Sequence, residues 1–404
     1  MYRRFYECTS SHVDSDVANQ HFQFALSQSN KAIQQLVKQQ TQGGRIDAAD
    51  KLTVMTCCVL FGSLANLQGQ QQAALDHLRS GIRMLRETSS QSHVDNTHPV
   101  SLSSLRSILT GLDIQARSSI NWSDIPNWEP AFSSPQASDS ADIDMSHPRA
   151  LSELHSRVET LLNDTLAFNR GCVVRPCTER TSIQHEHHAL VWRFERVSHS
   201  VKKLSSLPAP ATPSASRSLS QTMLLHLQTS HCLRSSIAPL AQHFAIASPL
   251  AHTPYNPTTH FTAIMSHAVH LLATTSPSAP VYTAAPGPLS ALWLIATSAP
   301  SSCVALRKRA IELMLSHPRR EGLFDGVLAG RIGRVAWGLE QAGAGGVDRI
   351  TDGSGEGSGD LIVPETARMV GLDVHHEGPW RARVRLADAE QMRRGGGTVV
   401  WIEW

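Results

Sequence analysis

Between residues 52 and 67 apolar side chains fall on nearly every face of a helical wheel, at Leu52, Val54, Met55, Cys57, Cys58, Val59, Leu60, Phe61, Leu64 and Leu67. A helix apolar all round is expected to be buried. Gly69 follows and offers the positive φ that commonly closes a helix. Ala74, Leu75, Leu78, Ile82 and Leu85 then return at spacings of three and four, the stripe of an amphipathic helix. With so short a connection, residues 50–87 are expected to fold back as an antiparallel helical hairpin.

The same period recurs along most of the chain. Phe22, Ala25, Leu26, Ser29, Ile33 and Leu36 predict a helix over 17–38, stopped by Gly43 and Gly44. Its A-L-x6-I-x-x-L pattern returns at Ala74, Leu75, Ile82 and Leu85, an echo that a helical repeat would produce. Further helices are expected around Leu102 to Ala116, Leu151 to Leu162, Leu190 to Leu204, Phe261 to Leu272, Leu289 to Ala296, Cys303 to Leu315 and Val327 to Leu339. One more, over 219–247, should kink or end early at Pro239. Residues 118–148, 207–217 and 274–288 read as loop or linker, and the Gly/Ser/Asp-rich stretch 343–360 as a flexible tether. Near the end the period drops to two. Trp380, Ala382, Val384 and Leu386 alternate with Arg381, Arg383 and Arg385, and TVVWIEW closes the chain, which predicts a small strand pair.

The pattern therefore predicts a mostly α protein of antiparallel helical hairpins in an array or bundle, with a small β-like C-terminal segment. Its divisions are an N-terminal helical part at 1–117, a flexible insert at 118–149, a second helical part at 150–342, the linker at 343–360 and the tail at 361–404. Composition refines this only slightly. The 404 residues are 41% hydrophobic, 5% aromatic and 17% charged, with net charge +2, so no strong field calls for nucleic acid or an anionic membrane. No window approaches a membrane span of uninterrupted apolar residues, and no apolar run follows the N-terminal arginines, so a soluble intracellular protein is expected. The seven cysteines, Cys8, Cys57, Cys58, Cys172, Cys177, Cys232 and Cys303, are expected as reduced thiols, mostly in the core.

Chemistry-bearing motifs are scarce. His185, Glu186, His187 and His188 lie close to Cys172 and Cys177, but neither spacing matches a standard metal site, and His187 and His188 diverge on a helix by about 100°. A polar helix start explains them better than a metal-dependent enzyme does. GSGEGSG at 353–359 fits no phosphate-binding loop. Neither a nucleophile elbow nor a kinase set is present, so no catalytic residue, cofactor or metal ligand is assigned. Arg307, Lys308 and Arg309, then Arg319 and Arg320, form short basic clusters, which as a class are usually solvated faces or ion-pair partners.

Several stretches together resemble the regulatory region of fungal binuclear zinc-cluster transcription factors, especially those near secondary-metabolite genes. ALSQSNKAIQQL from Ala25 resembles that family's A-L-x-x-Y-x-x-A-I-x-x-L helix, with Ser29 in place of the commoner tyrosine. LTVMTCCVLFGSLANLQG with AALDHLRSGIRML resembles its best-marked block, and LTGLDIQARS from Leu109 the segment after it. RKRAIELMLSHPRREGLFDG from Arg307 resembles the block R-R-x-A-x-x-L-L-x-x-x-P-R-R-E-G-L-W-D, with Phe324 in place of tryptophan.

The resemblance implies a non-enzymatic transcriptional regulator in the nucleus, controlling a secondary-metabolite gene cluster. Its implied partners are other transcription regulators or coactivators, with a homo- or heterodimer possible. The zinc cluster itself, two C-x-x-C-x6-C halves, is absent from these residues, so direct DNA binding is open. Either the chain is a stand-alone regulatory domain or a DNA reader lies upstream of Met1. A helical-repeat interaction scaffold is the alternative reading. The P-R-R-E-G-L stretch is expected to be a structural corner: Pro318 ends a helix, Asp325 starts the next, and Arg319, Arg320 and Glu321 make local ion pairs.

Overall fold

A computed structural model of the chain describes residues 15–41, 48–89, 99–119, 143–144, 147, 149–206, 208, 212–273, 281–344, 363–378 and 380–404. The Gly43–Gly44 stop, Cys8, most of the 118–148 insert and most of the Gly-rich tether lie outside these residues. So do parts of the expected loops at 207–217 and 274–288.

The hairpin forms as its pattern predicts. After α1 (Ser15–Thr41), helix α2 (Ala48–Leu67) ends at Gly69, whose φ of 73° reverses the chain. The Gly69 amide donates to the Asn66 carbonyl and the Gln70 amide to that of Ala65, both at 2.9 Å, so the last carbonyls of α2 are satisfied without lengthening the turn. Helix α3 (Gln71–Ser89) folds back along α2, and α4 (Leu102–Ser119) closes the group. Leu52, Met55, Leu78, Ile82, Leu85, Leu105 and Leu109 form its core.

Two expectations here are corrected. Although α2 is apolar all round, it is not buried all round: Leu60 is 61% exposed, because α3 and α4 cover only part of its circumference. Over Asp50–Leu67 the mean hydropathy of 1.2 would suffice by length and composition for a membrane span. In this fold the helix instead packs against α3 and α4. The echo between α1 and α3 is not an echo of roles. Ile82 is buried in α3, whereas Ile33 at the matching position of α1 is 45% exposed.

Helices α5 (Ala150–Val174), α6 (Arg180–Ser205), α7 (Pro213–Ser235) and α8 (Ile237–Phe244) surround a second core that includes Leu154, Leu161, Ile183, Val191, Leu225, Leu233 and Leu240. Helix α7 begins inside the expected linker, since the Thr212 hydroxyl accepts from the Ala215 amide at 3.2 Å and Pro213 suits the first helical turn. The expected interruption by Pro239 is present: α7 stops at Ser235, and Pro239 falls in the first turn of α8, where its missing N–H costs nothing.

Helices α9 (Pro257–Ala273), α10 (Pro288–Ser298), α11 (Val304–Ser316) and α12 (Gly326–Gly343) build the third core around Phe261, Ile264, Leu289, Leu292, Ile295 and Met314. Between them lies a sheet that the sequence pattern did not predict. Strand β1 (Val281–Thr283) pairs parallel to β2 (Arg319–Glu321), which turns through Gly322 into β3 (Phe324–Asp325).

The tail is three-stranded, not a strand pair. β4 (Met369–His376) and β6 (Thr398–Glu403) flank β5 (Arg381–Asp388) in antiparallel pairing, with a short helix α13 (Ala389–Arg393) closed by an Asp388–Gln391 capping box. Ala382, Val384, Leu386 and Ile402 pack on Leu328 and Ile332 of α12. The alternating arginines line the other face and are ion-paired: Arg381 with Glu403 at 3.8 Å, Arg383 with Glu377 at 3.2 Å, and Arg385 with Asp373. The fold is thus mostly helical with two small sheets near the C-terminus.

Candidate functional site

The β2–β3 turn is where distant parts of the chain meet. Gly322 holds a φ of 51°, and a Cβ there would collide with the Gln115 side chain, so the position requires glycine. The side-chain amide of Asn66, at the end of α2, donates to the Gly322 carbonyl, and Arg320 donates to the Asn66 carbonyl. From α4, Gln115 Oε1 accepts from the Leu323 amide at 3.1 Å, and from α3, Gln71 Nε2 donates to the Leu323 carbonyl at 3.3 Å. Three of the four resembling stretches, 52–85, 109–118 and 307–326, therefore share one hydrogen-bonded corner; the stretch at 25–36 in α1 makes none of these bonds.

The charges at this corner are buried and matched. Glu321 is 1% exposed, faces Arg319 at 3.0 Å and accepts from the Gly287 and Leu289 amides, each at 3.0 Å, at the start of α10. Burial pushes its carboxyl up to about 7 against the pull of Arg319 and the two amides. Arg320 holds Asp325 through Nε at 2.7 Å and lies 4.2 Å from the centre of the Trp380 ring. Asp325 caps α12 by accepting from the Val327 and Leu328 amides at 2.9 and 3.0 Å, and its other oxygen accepts from Trp404 Nε1 at 2.9 Å. The expected corner is therefore present, with Asp325 opening α12 as the sequence implied. Its partners, however, reach from five other segments: α2, α3, α4, the start of α10 and the C-terminal tail.

Beside this corner lies a cavity of about 500 Å³. Its lining includes Trp293 of α10, Phe324 of β3, Leu328 and Ile332 of α12, and Leu372 and Val374 of β4, together with Arg320, Asp325, Trp404, His376 and Arg170. Trp404 meets the His376 ring at 5.8 Å and Trp380 at 6.2 Å, both edge to face. A cavity of this size, apolar with a few convergent polar groups, is suited to a small molecule.

The residues singled out by sequence do not converge. His187 is fully buried in α6, bonded through Nε2 to the Ser248 hydroxyl at 2.8 Å and stacked on Phe168, whereas His185 and His188 are exposed. Glu186 is engaged by Arg175 at 2.6 and 2.9 Å. These residues lie one to two turns inside α6, so they are not a helix start. Among the described residues, no group of three or more His, Cys, Asp or Glu could hold a metal ion. Cys58 is buried and Cys57 half-buried; burial pushes the Cys58 thiol up to about 11. Of the basic clusters, Arg309 is exposed, but Arg307 is 2% exposed and bonded to Glu340 at 2.7 Å. Local spacing had pointed to none of Trp293, His376 and Trp404. They reach the cavity through strand pairing and helix packing that no short motif encodes.

No protein-family model matches the chain, and neither a curated protein nor a solved structure shows significant similarity to it.

Proposed function

We propose that this chain is the regulatory region of a transcriptional regulator of the fungal binuclear zinc-cluster type, governing a secondary-metabolite gene cluster in the nucleus. It acts without a zinc-cluster reader within these 404 residues and works through other transcription regulators or coactivators. The observation that carries the reading is the order of the resembling blocks along the chain. That three of these four blocks meet at Gly322, through Asn66, Gln71 and Gln115, supports treating those three as one unit. A binding role fits the cavity better than catalysis, since Arg320 and Asp325 are engaged with each other and with Trp404.

Deletion of the gene, followed by transcript profiling, tests the reading: transcripts of a contiguous set of biosynthetic genes should change together. Unchanged transcripts combined with exclusion of the protein from the nucleus would contradict it and favour a scaffold. Binding of the purified chain to promoter fragments should be weak and strongly salt-dependent unless a partner is added. Tight, sequence-specific binding by the chain alone would contradict the version without a reader.

A further inference from the structure

The cavity between α12, α10 and the C-terminal sheet has dimensions and chemistry that select an occupant. Its volume of about 500 Å³ falls within the range that encloses drug-sized ligands. Side chains that could make it polar are already engaged inside the protein. Thr297 donates to the Trp293 carbonyl at 2.9 Å, Ser118 to the Ile114 carbonyl at 2.9 Å, Gln71 to the Leu323 carbonyl, and Arg170, which also lines the cavity, to the Arg117 carbonyl at 2.6 Å. At the charged end, Arg320 and Asp325 cancel each other, and the Asp325 carboxylate also receives Trp404 and two backbone amides.

An anionic ligand would have to displace Asp325 from Arg320, uncapping α12, or draw Arg170 away from the Arg117 carbonyl. A cationic ligand would compete with Arg320 for the same carboxylate, and either would lose its hydration in an apolar space. What the wall offers instead is aromatic and aliphatic surface, from Trp293, Phe324, Leu328 and Ile332 on one side and Leu372 and Val374 on the other. From this geometry we infer that the cavity binds a neutral, largely apolar small molecule with aromatic or fused-ring character, its polar substituent confined to the end near His376. The inference stands independently of the transcriptional reading.

Nile red, neutral and aromatic, is the probe, and the anionic dye 8-anilinonaphthalene-1-sulfonate is its counterpart. Fluorescence titrations use the full 404-residue chain and two variants that fill the cavity from opposite walls, Ala336→Trp on α12 and Val370→Trp on β4. The unmodified chain should bind Nile red saturably at a single site with blue-shifted emission, and more tightly than the anionic dye by at least about tenfold. Either filling variant that retains the parent circular dichroism should weaken Nile red binding by at least about tenfold. A third variant, Leu60→Glu, changes the exposed apolar face of α2 and should leave binding unchanged. The inference is overturned by any of four results: no saturable Nile red binding, affinity that survives both fillings in folded variants, loss of binding in Leu60→Glu, or anionic-dye binding as tight as that of Nile red.

Discussion

Asn66 and Gly322 stand 256 residues apart in sequence, yet the Asn66 side-chain amide donates to the Gly322 carbonyl. The return bond comes from Arg320, whose guanidinium donates to the Asn66 carbonyl. A helix end and a β turn are thereby locked to each other, and the cavity borders this junction.

Replacing Asn66 by alanine would remove the donor and leave the Gly322 carbonyl buried without it. The expected cost is about 1–3 kcal/mol, the penalty of an unsatisfied buried polar group. Urea unfolding followed by circular dichroism measures it, and an unchanged midpoint would show that the junction does not contribute to stability.

Glu340 of α12 bonds Arg307 at 2.7 Å, accepts from the Met369 amide at 3.0 Å at the start of β4, and lies 4.0 Å from Arg368. Glu340→Leu would leave the buried Arg307 guanidinium without its carboxylate, while Arg368 keeps Glu365 at 3.8 Å, and should cost about 3–5 kcal/mol. Arg307→Met should cost less, because Arg368 and the Met369 amide still serve Glu340. The double variant should recover part of the loss. Thermal melts of the three proteins check the order; equal losses for both single variants would contradict it.

Two leucines of the hairpin separate packing from composition. Leu78 on α3 is 3% exposed and Leu60 on α2 is 61% exposed. Leu78→Asp should cost about 3–5 kcal/mol as an unpaired buried charge, and Leu60→Asp no more than about 0.5 kcal/mol. Similar melting temperatures for the two would mean that α3 does not pack as described.

Acid should destabilise the fold. Burial, aided by neighbouring charge where present, pushes His187, His226, His231 and His260 down from 6.5 to about 4. Below pH 6.5 the unfolded chain takes up these protons before the folded one does, so stability present above pH 6.5 is lost as pH falls toward 4. Glu159 and Glu321 work the other way. Burial raises both from 4.5 to about 7, so the folded chain protonates first and gains stability as pH falls through that window. The four imidazoles outnumber the two carboxyls, so the urea midpoint should drop between pH 6.5 and 4.5. A flat or rising midpoint over that range would contradict the balance.

The helices were legible because their core faces repeat locally: Leu78, Ile82 and Leu85 announce a buried stripe without reference to any other segment. Features set by distant partners were not. β1 is three residues long and exists because Val281 to Thr283 pair with Arg319 to Glu321, which no local pattern encodes. Strand β4 carries Gly371, Asp373 and two histidines, so its alternation is masked, and its pairing with β5 defines it. Arg307 reads as part of a basic surface run until Glu340, 33 residues on, faces it across a buried helix contact. The corner at Pro318 to Asp325 was visible through its helix-terminus residues, but the cavity beside it depends on Trp293, His376 and Trp404, which only the tertiary fold assembles.

The regulatory reading is tested most directly by fusing the whole chain to a heterologous DNA-binding domain and measuring transcription from a reporter that carries that domain's site. The fusion should raise or lower reporter transcript relative to the DNA-binding domain alone. Gly322→Val, which forces a side chain into Gln115, should abolish the difference. Reporter transcript equal to that of the domain alone, with the fusion present in the nucleus at a matched level, would contradict it.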